Sequence, residues 1–321
     1  MLNNKRASDF SEALFLAKMP PPFIQEGALR ETCYCRFLLH NFKLIARALI
    51  FASRCDTIVQ VSSDLSFFGL SAEECIRMIQ DLHSHTYYSF CGKDAPGKVI
   101  ETAIEGGIEL LGITDHSYGI GHSRECAVNN PKRLKDFQRA LDAYVDHITL
   151  LKEKYASDIT IKCGIEIATH NQPNLIMPDG IDLSGFDFCL IESLTSSTSV
   201  CSDLFAFADT CNCPLIGIAH SDLPGFLDSK NIDKLAYFSE MAKRNIFWEM
   251  NVSYDSIHNY REHAYVKEFF GNRELQDIVR RSGMRLSVGF DGHKIEDYLP
   301  ERVRTACQMI TELGIPLVFE K

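Results

Sequence analysis

The sequence predicts a closed parallel α/β barrel preceded by a helical segment, and three observations carry this expectation. Beyond Gln80, a short apolar run, a polar or glycine-containing loop and a helical pattern repeat seven or eight times over roughly 240 residues, as strands joined by crossover helices do. Residues of metal-ligand type recur at or just past the C-terminal ends of those runs, the rim where such barrels carry their active sites. A length of 321 residues with an apolar fraction of 45% is enough for one large barrel or two ordinary domains.

Taken in order, residues 1–78 read as a helical extension. A short helical pattern from Asp9 to Lys18 is stopped by Pro20, Pro21 and Pro22, which cannot continue a helix. From about Glu26, Leu29, Cys33, Phe37, Leu38, Leu44, Ile45, Ala48 and Leu49 recur at the spacing of a long amphipathic helix. Ser71 and Glu74 form a capping-box pattern before the first barrel strand. No catalytic signature stands here; the segment reads as an appendage on the main domain or on a second subunit, or as a lid. The barrel is expected over 79–321, with strands at Leu82–His85, Leu110–Thr114, Thr160–Ile167, Phe186–Ile191, Leu215–Ala219, Phe247–Asn251, Leu286–Phe290 and Leu317–Phe319. The helical patterns between them run at about Lys98–Ile104, Pro131–Tyr155, Ser199–Cys211, Ile232–Lys243, Glu262–Ser282 and Pro300–Leu313.

Composition narrows the function classes. A formal charge of −10 argues against a nucleic-acid backbone as the main partner, yet it is compatible with a small anionic substrate where metal ions supply local positive charge. Twelve cysteines include the pairs Cys33/Cys35 and Cys211/Cys213 but no zinc-ribbon spacing. With no secretory-leader pattern, they read as reduced thiols of a cytoplasmic protein. The most apolar early run, Phe37 to Ala52, is interrupted by His40, Asn41, Lys43 and Arg47, so no membrane span is expected.

The chemistry centres on Asp81-Leu82-His83-Ser84-His85-Thr86. On an extended strand His83 and His85 share a face, about 6.5–7 Å apart at Cα, close enough for both imidazoles to reach one divalent ion. A lone His-x-His is weak; the later strands bring it partners. These are Asp115 and His116 after the second strand, Glu166 on the third and His220 after the fifth, followed by Asn251 on the sixth and Asp291 and His293 after the seventh. A carboxylate such as Glu166 has two oxygens and can bridge two cations, a pairing suited to in-line phosphoryl displacement. Mixed histidine and carboxylate ligands suit zinc, manganese or iron.

Six ordered motifs, around His83 and His85, Asp115 and His116, Glu166, His220, Asn251, and Asp291 and His293, resemble those of the PHP (polymerase and histidinol phosphatase) superfamily over residues 79–321. The resemblance implies a distorted (βα)7 TIM-like barrel holding two or three divalent metals, and it leaves the N-terminal helical extension unexplained. It also implies a phosphoesterase of the histidinol-phosphatase type acting on a small phosphorylated substrate. Carried over, His83, His85, Glu166 and Asp291 hold one metal, and Glu166 bridges to a second shared with His220. His116 and His293 hold a third, with the residue eight beyond His83, which is Cys91. Cys91 departs from the family's usual His or Asp, although a thiolate is a good zinc ligand.

A second departure is Ser193-Leu194-Thr195, where the family has Ser-x-His. It removes a ligand from the second site and leaves Glu192, His170 or water to complete the shell. Asp115 is expected as a catalytic carboxylate or as one that orients a ligand histidine, and His220 counts as a catalytic residue as well as a ligand. Arg124 is the candidate phosphate contact, ahead of Lys93, Lys132, Arg133 and Lys294. His40, His122, His147, His258 and His263 read as ordinary histidines. Thr195 keeps an alternative open: a degenerate barrel serving as a binding or regulatory module. A nuclease of the same family is the further alternative, and an amidohydrolase is the nearest confusable barrel.

Overall fold

The computed structural model describes residues 78–120, 131–169, 180–199, 201 and 203–320. Seven parallel strands follow one another in sequence order around a single sheet. They are β1 (Gln80–Asp81), β2 (Leu110–Ile113), β3 (Thr160–Ala168), β4 (Phe188–Glu192), β5 (Ile216–Ile218), β6 (Ile246–Asn251) and β7 (Leu286–Gly289). The sheet closes just past β1, where the Leu82 amide donates to Val288 O at 2.8 Å and the Asp291 amide to His83 O at 2.7 Å. The expected TIM-like (βα)7 barrel is therefore observed. The helical extension expected over 1–78 lies outside the described residues but for Met78.

Three elements differ from the sequence reading. The first strand ends before His83, because side chains take over the ladder. Ser84 Oγ donates to Gly112 O at 2.7 Å, and the Ser84 amide donates to Thr114 Oγ1 at 3.0 Å. The eighth strand expected at Leu317–Phe319 shrinks to one bridge between Leu286 and Leu317, since Leu82 already occupies that edge of β7 from Val288 onward. The single helix expected over Glu262–Ser282 is two, Ala264–Gly271 and Arg273–Ser282. Asn272 between them has ψ 97°, and its Oδ1 accepts from the Leu275 amide at 3.1 Å to cap the second helix. Short helices at Ser117–Ile120 and Leu223–Ser229 were not read from the sequence.

Side-chain alternation explains where the core ends and the site begins. Outward-facing residues such as Ile113, Ile165, Ile191, Ile218 and Met250 join the helices in one core. Inward-facing Leu82, Leu110, Phe188, Leu190 and Phe247 form a second, smaller cluster inside the barrel. A Cβ at Gly217 would collide with the Phe247 ring, so β5 is bare where that ring crosses. Further along β3, β4 and β6 the same face turns polar: Phe188 and Leu190 give way to Glu192, Gly164 to Glu166, and Phe247 to Glu249 and Asn251. An apolar plug thus fills the lower barrel, and the charged residues line its mouth.

Truncation of that plug is expected to be costly. Phe247→Ala should lower unfolding free energy by about 3–5 kcal/mol. Urea denaturation in the presence of a chelator measures this without a metal contribution, and an unchanged midpoint would contradict the packing described.

Candidate metal centre

The loop after β1 is built to aim two imidazoles inward. Asp115, fully buried at the end of β2, accepts from the Thr86 amide (2.7 Å), Thr86 Oγ1 (2.7 Å), the Ser89 amide (3.1 Å), Ser89 Oγ (2.7 Å) and Tyr144 OH (3.2 Å). Ser89 Oγ has one proton, and that proton goes to Asp115. It accepts from the His116 amide at 2.9 Å, and its remaining lone pair faces His85 Nδ1 at 3.1 Å. His85 therefore donates through Nδ1 and turns the lone pair of Nε2 to the centre. His83 is fixed in the same way by Glu249, whose Oε1 accepts from Nδ1 at 2.8 Å.

The two Nε2 atoms lie 3.1 Å apart. Glu166 Oε2 is 3.4 Å from each of them, and Asp291 Oδ1 is 3.5 Å from His83 and 3.1 Å from His85. Four buried groups with lone pairs converge on one region, an arrangement that requires a cation or shared protons. Glu166 Oε2 also lies 2.9 Å from His116 Nδ1, yet both atoms are buried and neither is aligned for a hydrogen bond. Such orphaned buried atoms suit a shared cation, and the donor set suits a divalent transition metal. Glu166 Oε1 turns the other way, to His220 Nε2 at 3.0 Å. Cys91 with His85 and His116, His293 with His85 and Asp291, and His220 with His83 and Asp291 form further groups whose ligand atoms lie within 4.8 Å of one another.

The protonation states follow from this crowding. Burial alone would lower the pKa of the histidines. The carboxylates Asp291, Glu249 and Glu166 nonetheless hold His83 well above its usual value, and Glu166 lifts His220 to about 9. His293 rises to about 10 against its burial through Asp255, Cys91 and Asp291. His85 goes the other way, pushed by burial to about 3 despite Asp291, with the charges of His116 and His293 adding to the fall. Burial would raise the Cys91 thiol, but His116 and His293 bring it to about 7, within reach of the thiolate a metal needs. Burial would also raise Glu166 and Asp291, and the surrounding imidazoles hold both well below the ordinary carboxylate range.

The structure thus brings together His83, His85, Cys91, His116, Glu166, His220, Asp291 and His293. Asp115 stands behind them, with its carboxylate taken up by Thr86, Ser89 and Tyr144. Arg124 and His170 lie outside the described residues. Of the other loop cations, Lys93 is exposed and Lys294 Nζ donates to Ser256 Oγ at 3.1 Å. Four participants were not read from the sequence: Ser89, Glu249, Asp255 and His258. Glu249 also accepts the His220 amide at 2.7 Å, and its alternation with Asn251 on one strand face was the available signal. His258, read as an ordinary histidine, places Nε2 3.2 Å from Asp291 Oδ2. Glu192 Oε1, a candidate to complete the second site, is 3.4 Å from His116 Nδ1.

A family model described as PHP domain matches residues 81–298. No curated protein matches the chain. Among solved structures, the chain is similar to a histidinol phosphate phosphatase from Lactococcus lactis subsp. lactis complexed with zinc, L-histidinol and phosphate. That likeness has 16% identity and a TM-score of 0.46, and it covers 75% of this chain and 98% of that one. A Listeria monocytogenes protein described as a histidinol phosphatase is 17% identical with a TM-score of 0.33, over 74% of this chain and 92% of that one. An amidohydrolase is 10% identical with a TM-score of 0.37, over 76% and 75% respectively.

The protonation states generate a pH prediction. His220 and His293 have pKa values raised to about 9 and about 10, so without metal both are protonated at neutral pH. Ligation needs the neutral ring. Metal uptake should therefore release protons at neutral pH, and apparent affinity should climb as pH rises toward 9. Calorimetric titration in two buffers of different ionisation enthalpy counts the protons; a count of zero would contradict the charge network.

Proposed function

The chain belongs to the PHP domain family, and on that premise we propose that it hydrolyses a small phosphomonoester with the help of divalent metal ions gathered at this centre. The observation that carries the reading is the division of Glu166. Oε2 faces His83, His85 and His116, while Oε1 faces His220, as a carboxylate shared between two ions requires. Two such ions would activate a water and offset the charge that develops on phosphoryl oxygens. Zinc, manganese or iron all suit the donor set.

The chain's own residues supply the rest. Ser89 and Asp115 fix the tautomer of His85, and Glu249 fixes that of His83. Asn251 donates to Asp291 Oδ2 and to Glu249 Oε2, both at 3.3 Å, which steadies the two carboxylates. Asp115 acts here as a positioning residue, since the rings around the centre move with Thr86 and Ser89. Arg124 is assigned as the contact that grips the phosphate. The substrate class is that of histidinol-phosphatase-type members, a compact phosphorylated molecule and not a nucleic acid, in keeping with the formal charge of −10. No described helix is long and apolar enough to cross a membrane, and the described cysteines are free thiols; a cytoplasmic setting is part of the same proposal.

Thr195 favours a second reading, a barrel that binds metal weakly and serves as a binding module, because it stands where a ligand histidine is expected. Steady-state hydrolysis of an aryl phosphate by the metal-reconstituted full chain separates the two. Under the catalytic reading Glu166→Ala and Asp291→Ala lose both metal and turnover, by more than roughly a hundredfold in kcat. Asp115→Asn then falls roughly ten- to a hundredfold, as loss of a positioning partner does. Wild-type rates in all three variants, or no turnover in a fully loaded wild type, would sink the catalytic reading.

A further inference from the structure

The loop between β6 and the helix Ala264–Gly271 carries an aspartate and a histidine one turn apart, Asp255 and His258. Asp255 Oδ1 accepts from both the His258 amide at 2.8 Å and His258 Nδ1 at 2.7 Å. These two hydrogen bonds to one oxygen fix the ring and its tautomer, so Nε2 of a neutral His258 carries a lone pair. Nε2 points at Asp291 Oδ2, 3.2 Å away. Two acceptors at that distance need something positive between or beside them.

The same carboxylate reaches a second histidine. Asp255 Oδ2 lies 3.5 Å from His293 Nδ1, both atoms being buried without a hydrogen bond, and His293 Nε2 is 3.7 Å from Asp291 Oδ1. One buried aspartate therefore stands behind two rings that both present Nε2 to Asp291. Asp291 is divided as Glu166 is: Oδ1 faces His83 and His85, and Oδ2 faces His258. The His258 side chain is 22% exposed, so it borders the open mouth and not the packed core.

We propose that His258 is a metal ligand, supplied by the loop after β6 to an ion on the Oδ2 side of Asp291, with Asp255 as the residue that positions it. The inference rests on the metal-dependent reading above and assigns to it a ligand outside the motif set that the sequence presents.

Cobalt(II) titration of the full chain, followed by absorption spectroscopy and metal analysis, tests this. In wild type the cobalt spectrum is expected to show more than one bound ion. His258→Ala and His258→Gln should weaken one equivalent by at least roughly tenfold and alter the ligand-field bands, with folding checked by circular dichroism. In a Cys91→Ser background, His258→Cys should add a sulfur-to-cobalt charge-transfer band, which a histidine that merely donates a proton to Asp291 would not produce. Unchanged stoichiometry and spectra in both His258 variants, or no new band in the cysteine variant, would overturn the assignment and leave the metal-dependent reading standing. A wild type that binds no cobalt would overturn both.

Discussion

Packing Glu166, Asp291, Glu249 and Asp115 into one barrel mouth is tolerable only because each carboxylate is opposed by a specific donor or cation. Glu166 and Asp291 face imidazoles, Asp115 takes two amides and three hydroxyls, and Glu249 holds a ring nitrogen and the His220 amide. Remove one partner and a buried charge loses part of what opposes it. The rest of the fold follows from this constraint. The apolar plug of Phe188 and Phe247 keeps water from below, and the alternation of the strands lifts the charged residues into one layer above it.

Holding that layer costs backbone strain where the strands end. Ser193, His220 and Asp291 all have positive φ, at 62°, 23° and 57°, a region non-glycine residues seldom adopt. Ser193 directly follows β4, and His220 and Asp291 come two residues past the ends of β5 and β7, so all three lie where the strands give way to the loops of the mouth. The strain persists because surrounding bonds fix these residues: the His220 amide on Glu249, and the Asp291 amide on His83 O. Gly289 is the complementary device. A Cβ there would collide with Glu249 Oε1 and crowd His83, so β7 passes bare beside the very pair that sets the His83 tautomer.

Much of this was legible in the sequence because period-2 alternation and strand-end placement are local properties. His83, His85, Glu166, His220 and Asp291 could be placed on one rim from spacing alone, and the repeat of strand and helix gave the barrel. What stayed hidden depends on contacts between distant segments. Ser89 looks like any loop serine until Asp115, on the next strand, fixes its proton. Glu249 looks like one more strand residue in Trp248-Glu249-Met250-Asn251 until His83, 166 residues away, donates to it. β1 is shortened where the side chains of Ser84 and Thr114 take over its ladder with β2, and the eighth strand gives way to Leu82 at the edge of β7; no local pattern records either.

Asp255 and His258 are the instructive intermediate case. Their spacing is local, since an aspartate three residues before a histidine can bond both its amide and its ring. Yet the pair means little until Asp291 Oδ2 comes within 3.2 Å of Nε2. The pairing of β6 with β7 supplies that proximity, because it brings their following loops together over the mouth. Side chains that reach the centre need not therefore come only from the motif strands. Any of the strand-end loops can approach the same carboxylates, and a divided carboxylate such as Asp291 accepts an approach from either side. The geometry of the mouth, more than the identity of any single motif, decides how many ions it can hold.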